Sequence, residues 1–123
     1  MAKKNLFDLT STADFVKLIQ NPDQIIVLDF HAEWCGPCKK FGQFLNDLVV
    51  KENKYPSVMF VKVNIDEKDE ENDLVFEDLI DKFKVTNIPR VIILKGSVVQ
   101  QDIKGYNPTI LVETLEKLIT EKN

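Results

Sequence analysis

Ile25-Ile26-Val27-Leu28-Asp29-Phe30-His31-Ala32-Glu33-Trp34-Cys35-Gly36-Pro37-Cys38 is the stretch from which the rest of the chain can be read. Its first part, Ile25 to Phe30, is almost uninterrupted apolar sequence, the pattern of a central strand covered on both faces. Beyond the cysteines, Phe41, Phe44, Leu45, Leu48 and Val49 recur at helical spacing, which predicts an amphipathic helix beginning at or near Cys35. The cysteines therefore fall in the turn between a buried strand and a helix N-terminus. Unpaired amides and a partial positive charge gather there, favouring a thiolate over a thiol. The thiolate is the nucleophile of disulfide exchange, so Cys35, nearest the helix start, is the expected attacking group. Cys38 lies one turn deeper, where it can attack the mixed disulfide and leave Cys35–Cys38 oxidised. Gly36 permits a tight backbone, and Pro37 fixes φ in a turn that can spare its amide.

Two other uses of the cysteine pair compete with redox chemistry. Paired cysteines at this spacing make half of many zinc sites, but no second pair is present and His31 is the sole histidine. No metal is expected. An inert packing pair is the other alternative, and the strand–turn–helix setting favours chemistry. Asp29 interrupts the apolar run, and alternation puts it on the face of Ile25, Val27 and His31. A carboxylate there should have its ionised form penalised and its pKa raised towards neutrality. Since Cys38 must lose a proton to attack, Asp29 is a candidate buried general acid/base. The competing reading has Asp29 facing a polar pocket or pairing with Lys62.

Composition bounds the rest. The chain has 123 residues, 44% of them hydrophobic and 29% charged, a balance that fits one globular core and excludes a disordered chain. Residues 1–123 are expected to form a single domain, because two halves would have very small cores. A net charge of -4 argues against nucleic-acid binding, which needs a basic face. No apolar run approaches the length of a membrane span. Met1 to Asn5 leads into Leu6-Phe7-Asp8 and not into a signal-peptide core, so a cytoplasmic setting is expected.

Outward from the central stretch, strands and helices alternate. A short edge strand is read at Leu6 to Leu9, and Ser11 with Asp14 suits the start of a helix whose Phe15, Leu18 and Ile19 share a face. Asn21-Pro22-Asp23 stops it. Val58 to Ile65 reads as a second strand, interrupted by Lys62 and Asn64. Phe76, Leu79, Ile80 and Phe83 form a further helical stripe, with Asn72 or Asp73 as its cap after the acidic run Asp66 to Asp73. Val91 to Leu94 and Val98 to Ile103 flank Lys95-Gly96-Ser97, a hairpin signal. Asn107-Pro108 caps a last helix carrying Leu111, Leu115, Leu118 and Ile119. The order β-α-β-α-β-α-β-β-α predicts an α/β fold: a mixed sheet, parallel in its first half and ending in an antiparallel hairpin, with helices on both faces.

The segment Val27 to Lys39, with its Trp34-Cys35-Gly36-Pro37-Cys38 core, resembles the active-site segment of the thioredoxins. Lys62-Val63-Asn64-Ile65-Asp66, Ile88-Pro89 and Gly105 extend the resemblance over essentially the whole chain. It implies the thioredoxin fold, a five-stranded mixed β-sheet flanked by four α-helices, and a general protein-disulfide reductase. Electrons would come from NADPH through a thioredoxin reductase, with no bound cofactor beyond the redox-active disulfide. The implied partners are that reductase and disulfide-containing client proteins, and a monomer is expected. By matching position, Cys35 is the attacking thiol, Cys38 the resolving thiol, Asp29 the buried acid and Lys62 its neighbouring lysine. Pro89 matches the family's cis-proline. Trp34, Gly36, Pro37, Ile88 and Gly105 join it on the surface where substrates dock.

Several residues depart from the family pattern. His31 stands where an aromatic residue, often tryptophan, is usual, and is read as a packed neutral histidine. Asn87 replaces a frequent glycine, Arg90 a threonine, and Lys104 a small or apolar residue; the segment from Asp66 to Lys84 is longer than usual. On the family fold, Lys39, Arg90 and Lys104 would ring the disulfide with positive charge and steer acidic partners; the opposing expectation has them extended into water. A secretory oxidase or isomerase and a redox-regulated binding module are the alternatives to a reductase.

Overall fold

The computed structural model describes residues 5–67 and 76–121. Five strands, β1 (Leu6–Asp8), β2 (Ile25–His31), β3 (Met59–Asn64), β4 (Arg90–Lys95) and β5 (Val98–Lys104), form one sheet in the order β1-β3-β2-β4-β5. β1 and β2 lie parallel to β3, whereas β4 lies antiparallel to both β2 and β5. The four α-helices are α1 (Thr12–Leu18), α2 (Gly36–Leu45), α3 (Glu77–Lys82) and α4 (Pro108–Thr120). This is the mixed sheet and four-helix fold expected from the sequence.

β2 is the centre of the molecule. It is hydrogen-bonded on both edges, and Ile26, Val27, Leu28 and Phe30 have no solvent exposure. Alternation along the strand divides the core into two layers. Ile25 and Val27 pack with Phe41, Leu45, Leu111 and Leu115 of α2 and α4. Ile26, Leu28 and Phe30 pack on the other face with Phe15, Leu79 and Phe83, the side of α1 and α3. Burying each such side chain stabilises the fold by roughly 1.5–3 kcal/mol.

The helix ends follow their sequence signals. The Ser11 side chain accepts the Asp14 amide at the start of α1, and Asn107 accepts the Ile110 amide ahead of Pro108 at the start of α4. α2 departs from expectation at its far end: after Leu45 the chain continues as a π-helical turn, Asn46–Lys51, which keeps both Leu48 and Val49 in the core. Among the described residues no side chain caps α3; the predicted caps Asn72 and Asp73 lie outside them. Glu77 and Asp78 occupy its first turn, where acids suit the helix dipole.

The hairpin joining β4 and β5 turns at Gly96 with φ +60°, and the Gly96 amide donates to the Gln24 carbonyl at 2.8 Å. A Cβ at this position would lie 2.8 Å from the Pro22 backbone. Left-handed backbone costs a side-chain-bearing residue about 1–2 kcal/mol, and this contact adds to it. Gly96→Ala is therefore expected to destabilise the protein by about 2 kcal/mol or more. Urea denaturation checks this, and an unchanged midpoint would count against the close packing of this turn.

Candidate functional site

Cys35 is the N-cap of α2, held in extended backbone (φ -94°, ψ 109°), and Pro37 lies in the first helical turn. Its sulfur accepts a hydrogen bond from the Cys38 amide at 3.2 Å. Sulfur thus takes the place that a Ser or Asp oxygen fills at an ordinary helix start. The same amide and dipole stabilise negative charge on Cys35 once the disulfide is reduced. Cys35 and Cys38 are joined as a disulfide with Cα atoms 5.2 Å apart, and both are buried. Gly36 and Pro37 are exposed above them.

Asp29 lies on the α2-facing side of β2, directly opposite Lys62 of β3 in the strand register. It is 1% exposed, and neither carboxyl oxygen has a hydrogen-bond partner among the described residues. Burial pushes its pKa up to about 7, with the Lys62 charge opposing the rise and Asp8 adding to it. Lys62 is thus a neighbouring charge and not a hydrogen-bonded partner. Its ammonium reaches α2, 3.9 Å from where a Cβ on Gly42 would sit, one turn beyond Cys38. Lys62, Cys38, Gly42 and His31 line a cavity of about 250 Å³, large enough for water. His31 is partly buried, and its burial and the Lys62 charge lower its pKa, so it is neutral at physiological pH, as the sequence predicts.

On the other side of the disulfide is an apolar rim. Trp34 is 70% exposed, and its indole N–H donates to Asp66 at 2.8 Å. With Ile65, Ile80, Val85 and Ile88 it lines a groove of about 220 Å³. The Ile88–Pro89 peptide is cis, and the Gly105 amide donates to the Pro89 carbonyl at 2.9 Å. That hydrogen bond sets Pro89 and Gly105 side by side, just before the start of β4 and just past the end of β5.

The expected cationic ring does not form. Arg90 is 6% exposed and lies on the Phe30 side of the sheet, where its guanidinium binds Asp102 and the carbonyls of Phe83 and Lys84. Alternation along β4 turns it away from the α2 layer. Lys39 lines the cavity beside Cys38, and Lys104 is exposed at the end of β5. The Arg90–Asp102 pair escaped sequence reasoning, because only the register irregularity between Ile93 and Leu94 brings the two charged residues to one face of the sheet.

Among the described residues no group of three or more His, Cys, Asp or Glu side chains is arranged to hold a metal. The family model described as Thioredoxin matches residues 7–117. The chain belongs to the thioredoxin family. It is 34% identical over 110 residues to mitochondrial thioredoxin-3 of Saccharomyces cerevisiae, covering 89% of this chain and 77% of that one. The crystal structure of that yeast protein in its oxidised form superposes with a TM-score of 0.73, covering 91% of this chain and 94% of the other. Mouse mitochondrial thioredoxin is 33% identical over 92% of this chain, which spans 63% of that longer protein. A structure concerned with thiol resolution in a yeast mitochondrial 1-Cys peroxiredoxin matches with 29% identity and a TM-score of 0.73, covering 95% of this chain and 99% of the other. Thioredoxins are thiol–disulfide oxidoreductases that reduce protein disulfides through a redox-active cysteine pair and bind no cofactor; here that pair is Cys35–Cys38.

The burial of Asp29 has a measurable consequence for stability. Between pH 4 and 7 the folded chain keeps a proton on Asp29 that the unfolded chain releases, so stability falls as pH rises through this window. Above about 7 the folded state carries the full penalty of a buried charge, on the order of a few kcal/mol. Asp29→Asn removes it. The variant should have a higher urea midpoint than the parent at pH 8, and the difference should vanish near pH 4. Equal midpoints across the range would mean that Asp29 is solvated or paired.

Proposed function

We propose that this thioredoxin-family chain is a general protein-disulfide reductase recharged by an NADPH-dependent thioredoxin reductase, with Cys35 as attacking thiol and Cys38 as resolving thiol. The carrying observation is the Cys38 amide donating to the Cys35 sulfur at the start of α2, which supports Cys35 as the better thiolate. In the reduced protein the Cys35 thiolate attacks one sulfur of a client disulfide, forming a mixed disulfide and expelling the other client sulfur as a thiolate. Cys38, deprotonated, then attacks the Cys35 sulfur, closing Cys35–Cys38 and releasing the second client thiolate. Two electrons pass to the client, and its two thiolates take up protons.

Asp29 is proposed as the acceptor of the Cys38 proton. A pKa of about 7 lets it gain and lose a proton at working pH, and Lys62, its register partner on β3, also lines the cavity beside Cys38. Trp34, Gly36, Pro37, Ile88, Pro89 and Gly105 are proposed as the client-docking surface, the apolar rim on either side of the disulfide. Disulfide-containing proteins such as the peroxiredoxin named with the yeast structure are the client class. The protein is proposed to act as a monomer in a compartment that keeps thiols reduced. The cytoplasm is our proposed setting; the mitochondrial names of several relatives make the matrix the alternative, and cell fractionation separates the two.

NADPH consumption in the presence of a thioredoxin reductase and insulin tests recharging and client reduction together. Cys38→Ser is expected to lower turnover to the uncatalysed background and to accumulate client covalently bound through Cys35. Cys35→Ser should abolish both turnover and capture. Full affinity of Cys38→Ser for clients without covalent capture would instead identify a redox-regulated binding module.

A further inference from the structure

Arg90 is the most fully engaged charged side chain in the described structure, and the disulfide chemistry makes no use of it. Its Nε and Nη2 donate to the two carboxylate oxygens of Asp102 at 2.6 and 2.8 Å. Nη1 donates to the Lys84 carbonyl and Nη2 also to the Phe83 carbonyl, both at 3.0 Å. These carbonyls lie just past the C-terminal end of α3, where acceptors lack helical partners and a cation is favoured. Lys84 itself turns the chain with φ +52°. One guanidinium therefore fastens β4, β5 and the end of α3 together.

What lies between these fastened points is the client-facing loop. Val85 to Ile88 is all that separates Lys84 from Pro89, and Val85 and Ile88 line the groove beside Trp34. Arg90 follows Pro89 directly, so the loop is gripped at one end through the Lys84 carbonyl and at the other through the residue that does the gripping. We propose that the Arg90–Asp102 clamp is a positioning device for the docking loop Val85–Ile88, setting how well this protein receives folded-protein disulfides relative to small ones. It acts through the loop and touches no reacting atom. The inference rests on the reductase reading above.

A small disulfide needs only the Cys35 sulfur, whereas a protein disulfide must also lay its chain against the loop. Preorganising that loop removes an ordering cost from client association. Asp102 keeps the buried cation neutralised, and its carboxyl is held below the usual range by the guanidinium hydrogen bonds. Arg90→Lys keeps the charge and loses the fork, since an ammonium cannot serve a carboxylate bidentately together with two carbonyls at these separated positions.

Stopped-flow fluorescence of Trp34, the only tryptophan, follows oxidation of the reduced protein by insulin and by 5,5'-dithiobis(2-nitrobenzoate) in separate runs. For Arg90→Thr the ratio of the insulin rate constant to the small-disulfide rate constant is expected to fall about tenfold, the scale of one lost charge-assisted hydrogen bond. Arg90→Lys should fall part of the way, and amide hydrogen exchange at Val85 and Ile88 should quicken in both. Asp102→Asn, altered at an exposed carboxylate, serves if Arg90→Thr does not fold, and should also lower the ratio. A purely structural role would slow both oxidants alike and leave the ratio at the parent value, which overturns the clamp. If the parent itself fails to reduce insulin while reacting with the small disulfide, the reductase reading falls with it.

Discussion

A strand bonded on both edges and covered on both faces cannot keep running; at its end every backbone group needs a partner, and β2 solves this by handing over to a helix. The handover places the free amides of α2 against the first side chain that can accept from them. In this chain that side chain is a cysteine. The setting proposed to make Cys35 the attacking thiol is therefore a by-product of backbone hydrogen-bond accounting: the helix start would need an acceptor in any case. Burial of β2 also fixes the sulfur rigidly, because Ile26 to Phe30 are packed from both sides and the turn that follows has little room to drift.

The same sheet carries two buried charged groups and treats them oppositely. Arg90 keeps its charge by satisfying four hydrogen bonds, two of them to a carboxylate. Asp29 has no hydrogen-bond partner among the described residues, and burial moves its proton equilibrium to about neutrality. Paired buried charges hold geometry; unpaired ones become proton carriers. The division follows the strand alternation, with Asp29 on the layer that contains α2 and its cysteines, and Arg90 on the layer that contains α3 and the loop leading to Pro89. On the roles proposed above for Asp29 and Arg90, chemistry and client geometry are supported from opposite faces.

Much of this was legible in the residues. The buried run of β2, the helical stripe of α2, and the Ser11 and Asn107 caps each rest on a local rule that tertiary contacts reinforce. Asp29 could be assigned to the face of Ile25 and Val27 because period-two alternation ties it to them, and the structure shows that this is the side of α2. The π-helical turn after Leu45 was not legible, since the apolar spacing of Leu45, Leu48 and Val49 suits an ordinary helix equally well. Arg90 was misread because the resemblance placed it only by its position after Pro89, whereas its pairing with Phe30 puts it on the side of α1 and α3; its partner Asp102 was hidden for a further reason. Counting outward from the Gly96-Ser97 turn pairs Val91 with Asp102, on the wrong face to meet Arg90. The irregularity between Ile93 and Leu94 shifts the ladder by one residue, pairing Val91 with Ile103 and bringing Asp102 to the guanidinium. A bulge is an inserted residue in the pairing, and pattern counting along one strand does not register it.

The burial of Arg90 changes the electrostatics of the site as well as its packing. With Arg90 drawn into the sheet, the mouth of the disulfide keeps Lys39 on one side, while Glu33, Asp66 and Glu67 stand exposed near Trp34 and His31. Exposed charges of both signs are screened beyond a Debye length of about 8 Å. A protein with net charge -4 and a mixed local field does not select clients by long-range steering. On the docking surface proposed above, selection falls to contacts made after encounter: the exposed face of Trp34, the groove running to Ile88, and the backbone around Pro89. Such contacts are tolerant of client sequence because they consist of apolar area and main-chain groups that every polypeptide offers, which is the physical requirement of a general reductase.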